Sequence, residues 1–211
     1  MKNLFIFLSF LFVCNSILAH THKVSSVFLI KKADVWNVQV SASFTAYQYE
    51  MLKEMSKEEI KELSPEDVQY WISNHLKNNL SFIINNKKVN LGESYIQLGH
   101  EIKAKILLEN GPDKIDEIIA KNTSFLNSGS SHKSFFKVVL DKEVSDRFIM
   151  GSNNQHELNL DVYGGKVVPA GYVFNKIKKV ALPVSMGLTF ITLLTFITYK
   201  INKQRKLTLA S

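Results

Sequence analysis

Residues 24–44 read VSSVFLIKKADVWNVQVSASF, and this stretch decides the fold class. It contains two runs of β-branched and aromatic residues, 24–31 and 36–44, and the second run alternates apolar with polar residues. Such runs indicate strands, and Ala33-Asp34 between them suits a tight turn. The stretch therefore predicts a β-hairpin at the start of a strand-rich domain.

A helical insertion is predicted after the second strand. Residues 50–63 are charged and favour a helix, and Ser64 followed by Pro65 and two acids is a typical helix start. Apolar residues then recur at helical spacing from Val68 to Leu76. This pattern predicts an amphipathic helix with one apolar face.

Further short strands follow, separated by turn signals such as Gly111-Pro112-Asp113. The predicted strands are 80–84, 88–91, 95–98, 102–108, 115–121, 134–140 and 158–162. So many short strands at regular spacing favour a mainly β fold, an antiparallel, Ig-like β-sandwich. We expect this domain to span residues 20–163.

The N-terminal end has the layout of a secretory signal peptide. Lys2 precedes an apolar run, 4–13, and small residues lead to Ala19. Because this run is shorter than the roughly 20 residues that span a bilayer, an uncleaved anchor is the weaker alternative. We expect residues 1–19 to be removed, which would leave His20 as the first residue.

The single cysteine, Cys14, lies inside the predicted signal peptide. A lipoprotein signal around Cys14 is the alternative, but residues 11–13 are large where such a signal needs a small residue. Loss of Cys14 would leave a mature chain without a thiol. Disulfide frameworks, cysteine metal sites and thiol nucleophiles are then excluded together.

The C-terminal part predicts a membrane-spanning helix at residues 180–199. This run of about twenty residues carries no charge, which is enough to cross a bilayer of about 30 Å. Lysines on both sides suit the membrane interfaces, and they disfavour the alternative of a buried core helix. We expect a linker at 164–179 and a basic cytoplasmic tail at 200–211. The signal peptide then places the domain in the periplasm, on a bacterial cytoplasmic (inner) membrane.

The charge distribution argues against a nucleic-acid partner. The formal net charge is +7, but residues 20–175 hold 18 of the 26 Lys and Arg and all 19 Asp and Glu. Residues 20–175 therefore sum to −1, and the excess positive charge lies at the two ends of the chain. A nucleic-acid-binding domain is expected to carry a net basic surface, so we expect no nucleic-acid partner for this chain.

The order of these features resembles a known family. The segments that carry the resemblance are His20 with 24–27, 36–44, 66–78 running into 80–87, the turn 111–113, and 115–123. Together they are similar to the exported bacterial proteins grouped as domain of unknown function family 6702. The resemblance implies a strand-rich exported domain, and no activity is established for that family. The predicted membrane helix is a departure, since many of its members end after the last strand.

The predicted mature terminus offers a candidate metal site at His20 and His22. Cleavage after Ala19 would give His20 a free α-amine, which can chelate copper together with the imidazole. Alternatively, His22 in third position completes a square-planar nitrogen site, which suits Cu(II) or Ni(II). The remaining interpretation is that His20 and His22 belong to a solvent-exposed segment that leads into the first strand.

Catalytic motifs are otherwise absent from the sequence. It contains no Gly-rich phosphate loop, no G-x-S-x-G elbow and no H-E-x-x-H pair. We therefore expect a non-enzymatic envelope protein that binds or supports a partner, without a cofactor. A copper-binding envelope protein is the alternative, and a hydrolase lacks a nucleophile and base arrangement in the sequence.

Overall fold

A computed structural model describes residues 23–129, 131–141 and 143–172. The chain divides into two compact units, Met1–Pro169 and Ala170–Ser211. Only residues 170–172 of the second unit are described, so the fold below is that of residues 23–169.

The described part contains eleven strands and three α-helices. In chain order they are β1 (Val24–Lys32), β2 (Val35–Ser43), α1 (Phe44–Met51), α2 (Lys57–Glu62), α3 (Pro65–Asn79), β3 (Leu80–Ile84), β4 (Lys87–Gln97), β5 (Glu101–Glu109), β6 (Glu117–Asn122), β7 (Lys133–Leu140), β8 (Glu143–Val144), β9 (Phe148–Met150), β10 (Glu157–Tyr163) and β11 (Lys166–Pro169). The predictions of a mainly β domain and of helices after the second strand are confirmed.

The strands form one mixed sheet that is nearly barrel-shaped. Their order is β11-β10-β6-β3-β4-β5-β2-β1-β7-β8, and β9 also pairs with β7. Every described pair is antiparallel except β1 and β7, in which Val24 lies opposite Lys133. The expectation of a wholly antiparallel sheet is wrong at this pair, because the long connection between β1 and β7 allows a parallel crossover. The Ig-like sandwich is not confirmed.

Strand β4 lets the sheet curl. Its first residues pair with β3 and its later residues with β5, and the register shifts between Leu91 and Ser94. Gly92 lies at this bulge, and a Cβ there would meet the Glu109 side chain at 2.8 Å, so a larger residue would displace that side chain. The two strands predicted here are therefore one strand, interrupted by a bulge that turns the sheet.

The interior is filled by alternate side chains of the strands. In β5, for example, Ile102, Ala104, Ile106 and Leu108 are buried while the residues between them are exposed. The rings of Phe82 in β3 and Phe136 in β7 stack with centroids 6.4 Å apart, although these strands are far apart in the sheet order. The sheet thus folds over a single hydrophobic core.

The helices lie at one end of the sheet. Helix α1 follows β2 directly with Ser43 as its N-cap, and α3 runs directly into β3. Helix α3 begins as predicted, with a capping box of Ser64 and Asp67 and with Pro65 in the first turn. We call this end, where β2 finishes and β3 begins, the helix end, and the opposite end the turn end.

Short strands at the two edges of the sheet were not predicted. β8 and β9 pair with β7, and β11 pairs with β10 inside the stretch expected to be linker, 164–179. Gly164 and Gly165 have φ of 58° and 77°, so they form the turn of a hairpin rather than a flexible connection.

Several predicted segments lie outside the described residues. These are the signal peptide 1–19, the membrane helix 180–199 and the tail 200–211. Within the described ranges, no helix is long and apolar enough to cross a membrane.

Candidate functional site

The helix end holds a cluster of buried polar side chains, which we call the His132 cluster. Each member is at most 4 % exposed, and the members are Ser25, Asn122, Ser124, Ser128, His132 and Ser134. Buried polar groups are costly unless they are hydrogen-bonded, so their bonds determine what the cluster can do.

His132 is the centre of the cluster and directly precedes β7. Its Nε2 lies 3.0 Å from Ser25 Oγ, and its Nδ1 lies 2.7 Å from Ser128 Oγ. The imidazole also stacks on the Phe125 ring, with centroids 5.0 Å apart. Both ring nitrogens are therefore engaged by hydroxyl groups, and the orientation of the ring is fixed.

A second set of bonds connects three strands. Ser25 Oγ lies 2.7 Å from Ser134 Oγ, which joins β1 to β7. Asn122, at the end of β6, donates from Nδ2 to Ser134 Oγ at 3.0 Å and accepts from the Ser124 amide at 3.0 Å. The cluster thus bridges strands that are not neighbours in the sheet and holds this end of the near-barrel together.

Glu50 fixes the loop that carries Ser128. This residue of α1 is 3 % exposed, and its Oε1 accepts from the amides of Asn127 at 2.8 Å and Ser128 at 3.1 Å. Its Oε2 accepts from Asn127 Nδ2 at 2.5 Å. Because three donors converge on one buried carboxyl group, Glu50 positions the loop relative to α1.

Two polar atoms beside the cluster have no hydrogen-bond partner among the described residues, namely Tyr47 Oη and Ser124 Oγ. Tyr47 is fully buried and its ring meets Phe125 edge-on, at a centroid distance of 5.0 Å. Burial raises the pKa of the Tyr47 hydroxyl above its ordinary value. The hydroxyl therefore stays protonated, and it is a buried group with unused hydrogen-bonding capacity.

The Ser25–His132 pair has the residue types of a nucleophile and its base, which the sequence did not reveal. The structure does not present it as an active centre, because both side chains are 2 % exposed. The Nδ1 of His132 meets a serine hydroxyl, and Glu50 bonds the loop backbone instead of the ring. A substrate has no access to Ser25 Oγ, so this geometry is that of a structural cluster.

The other described histidines also lie at the helix end. His75 stacks on Trp71 at 4.5 Å and its Nε2 bonds the Ser124 carbonyl at 2.7 Å, so it has a packing role. The His100 carbonyl accepts from the Phe44 amide, and the His156 carbonyl accepts from the Asn122 amide. Partial burial lowers the pKa of His156. No group of three or more His, Cys, Asp or Glu able to hold a metal is found within residues 23–129, 131–141 and 143–172.

The candidate metal ligands His20 and His22 lie outside the described residues. The chain after them is placed: the Lys23 carbonyl accepts from the Lys133 amide at 2.9 Å. The copper site stays a prediction.

Sequence patterns carry a weak signal for the His132 cluster. Ser25 has the same strand parity as the buried Val27 and Leu29, and Ser134 has that of the buried Phe136 and Val138. A small polar residue at an inward-facing strand position needs a buried hydrogen-bond partner, so the alternation of these strands predicts a buried polar contact for Ser25 and Ser134. It does not identify the partners, because Ser25 and His132 are 107 residues apart.

Neither the models of known protein families nor the curated proteins contain a match to this chain.

Proposed function

We propose that this chain is an exported, non-enzymatic binding module that one C-terminal helix holds on the outer side of a bacterial cytoplasmic membrane. The observation that carries the proposal is the pair of apolar segments in the sequence, 4–13 and 180–199, on either side of a domain with a complete core. The first is too short to span a bilayer, and the second is long enough.

The geometry of the helix end gives no support to catalysis at its serine–histidine pair. The Ser25–His132 pair is sealed, and each nitrogen of the ring is used to join loop and strand. The resemblance to exported proteins of domain of unknown function family 6702 agrees with the proposed location and assigns no reaction. We keep the Ig-like arrangement in the proposal only in a coarse sense, as a β domain with two faces.

Fractionation with mass spectrometry tests this proposal. We expect the product to begin at His20, to sediment with the membranes and to be digested when protease is added to spheroplasts. A variant that ends at residue 179 serves as the matched control and is expected in the soluble periplasmic fraction. Recovery of the full product from the cytosol, with residues 1–19 still attached, contradicts the proposal.

Copper binding at the mature terminus is the second candidate function. The observation that favours it is the sequence His20-Thr21-His22 directly after the predicted cleavage site. Backbone amides near an N-terminal amine and imidazole supply the nitrogen ligands that Cu(II) prefers.

A Cu(II) titration of the mature chain separates the two candidates. We expect His20→Ala and His22→Ala each to weaken binding at least about tenfold, which is about 1.4 kcal/mol. His100→Ala, at the same end of the fold, is the control and should leave binding unchanged. Binding by His20→Ala and His22→Ala that both equal binding by the parent chain rules out the copper site, since His20 is a side-chain ligand in one of the two arrangements and His22 in the other.

A further inference from the structure

The outer face of strands β4, β5, β2, β1 and β7 carries a continuous set of outward side chains. The strand pairings place them in three rows across the five strands. The first row is Gln97, Lys103, Ser41, Ser26 and Phe135; the second is Tyr95, Lys105, Gln39, Phe28 and Lys137; the third is Leu107, Asn37, Ile30 and Val139. We call these three rows the basic face.

The charges on the basic face all have one sign. Its three lysines, Lys103, Lys105 and Lys137, are joined by Arg147, whose guanidinium lies 4.5 Å from the centre of the Phe135 ring. The rows contain no Asp or Glu, although Glu101 and Glu109, the terminal residues of β5, lie on the same side of that strand and flank the rows. The four cations outnumber these two carboxylates, so the face is positive although residues 20–175 sum to −1.

These four cations are not neutralised within the fold. In the part of the chain that the structure describes, ion pairs join Lys114 to Asp116 and Lys121 to Glu157, and neither pair belongs to the basic face. Exposed cations without a direct ion pair attract anions, so an anionic partner would lower the free energy of this face.

A groove crosses the face between the aromatic and cationic side chains. It has a volume of about 300 Å³, and its lining includes Phe28, Gln39, Tyr95, Gln97, Lys103 and Lys105. The Tyr95 side chain is 71 % exposed, and its ring is free to stack on a flat partner. Amide groups beside the ring supply donors and acceptors for hydroxyl groups.

We propose that the basic face binds an acidic polysaccharide, a chain of sugar rings that carry carboxylate or phosphate groups. Sugar rings have flat C–H faces for Tyr95 and Phe28, hydroxyl groups for Gln39 and Gln97, and anions for the lysines. With strands about 4.8 Å apart, a row of five strands extends about 19 Å, which accommodates several rings. The proposal names a class of partner for the proposed binding module. It rests on the proposed location outside the cytoplasm only because acidic polysaccharides have to be present there.

The observations favour a saccharide over other anionic partners. A membrane surface needs protruding apolar side chains, whereas Phe28 and Phe135 are half-buried. An acidic peptide strand adds to a free sheet edge, whereas the groove opens on the face of the paired strands β4, β5 and β2. A nucleic acid carries a denser negative charge, which the net negative domain opposes.

The test is a binding titration of the full chain in neutral detergent. The probe is an oligogalacturonate, and a maltooligosaccharide of equal length is the uncharged control. We expect binding of the acidic probe alone, weakened by added salt because the contacts are exposed. Equal binding of both probes, no binding at low salt, or tighter binding of oligo-dT or phosphatidylglycerol vesicles overturns the proposal.

Matched variants locate the site. The double substitution Lys103→Gln/Lys105→Gln should weaken binding about tenfold or more, because charge-assisted bonds to carboxylates are lost. Lys87→Gln/Lys88→Gln in the exposed start of β4 is the control and should change binding less than about twofold. Equal losses in the two double variants overturn the assignment to this face.

The aromatic contact has its own pair of variants. Tyr95→Ala should weaken binding about fivefold and Tyr95→Phe much less, because the ring makes the contact. Tyr70→Ala removes an equally exposed ring, also 71 %, from α3 and should have no effect. A loss at Tyr70 as large as at Tyr95 overturns the contact. A saccharide-binding chain found in the cytosol would refute the proposed location and leave this face intact.

Discussion

The helix end and the turn end of the sheet are closed in different ways. At the turn end, hairpins reverse within a few residues: Asn85 and Asn86 have φ of 51° and 63°, as a two-residue turn between twisted strands requires. At the helix end, closure depends on side chains far apart in sequence, as in the Glu50–Asn127 contact across 77 residues. Tight local turns reverse the strands at one end, whereas buried long-range polar bonds hold the other end together.

The turn end also has non-local hydrogen bonds, such as Ala33 N to Asp141 Oδ1 at 2.9 Å and those of Asn85. The Asn85 Oδ1 accepts from the Asp116 amide at 2.8 Å, and its Nδ2 donates to the Lys114 carbonyl at 2.8 Å. This side chain is only partly buried, so water replaces these bonds at smaller cost than in the buried His132 cluster when they break. The contrast with the buried His132 cluster predicts that equivalent damage costs more at the helix end.

The largest effect is expected for Glu50→Ala. Removal of the carboxyl group leaves the buried Ser128 amide and the part-buried Asn127 donors unpaired, and we expect a loss of about 3 kcal/mol in the free energy of unfolding. Urea denaturation, followed by tryptophan fluorescence, measures it. Glu62→Ala in the exposed part of α2 is the control, expected within about 0.5 kcal/mol of the parent. If both variants lose the same stability, the helix end does not depend on its buried polar bonds.

A smaller effect is expected in the turn between β3 and β4. Asn86→Ala places a residue without a stabilising polar side chain at positive φ, and we expect a cost of about 1 kcal/mol. Asn86→Gly tolerates the same backbone and should match or exceed the stability of the parent. The same denaturation curves decide the point. A loss in the glycine variant as large as in the alanine variant would show that the Asn86 side chain, rather than its φ, holds the turn.

The smallest effect is a pH dependence at the helix end, from His156. Its pKa is lowered in the folded chain by partial burial, so the unfolded chain binds the proton first. Stability should therefore be complete above the unfolded pKa of about 6.5, fall as the pH drops below it, and level off below the folded pKa.

The substitution His156→Asn tests this pH dependence, since Asn accepts the observed φ of 59° and does not titrate in this range. We expect a flatter stability profile between pH 7.5 and 5. His100→Asn is the control at the same end. If stability falls with pH as steeply in His156→Asn as in the parent, another group is responsible for the pH dependence.

Features of short range could be predicted from the sequence. The hairpin at Ala33-Asp34, the turn at Asn85-Asn86 and the helix start at Ser64 each depend on residues within a few positions. Their conformations follow from turn and capping preferences, which act before any tertiary contact forms. The two segments that determine the proposed location, 1–19 and 180–199, are likewise properties of composition and length alone.

The candidate sites could be predicted less well from the sequence. The His132 cluster joins β1, β6 and β7, and the basic face needs the alignment of five strands before its lysines become neighbours. Charge counts along the chain conceal that face, because the acids that balance its lysines lie elsewhere on the domain. Edge strands of two to four residues, such as β8 and β11, contain too few residues for an alternating pattern.

By itself the sequence determined a strand-rich domain, a helical insertion after the second strand and the caps and turns that bound these elements. Only the tertiary structure decided that β1 lies parallel to β7, that the sheet curls at Gly92, and that Ser25 meets His132. The physical reason is the separation in sequence over which each kind of interaction acts. Backbone preferences and periodicity act over a few residues, whereas strand pairing and buried polar contacts are selected by the free energy of the whole packed core.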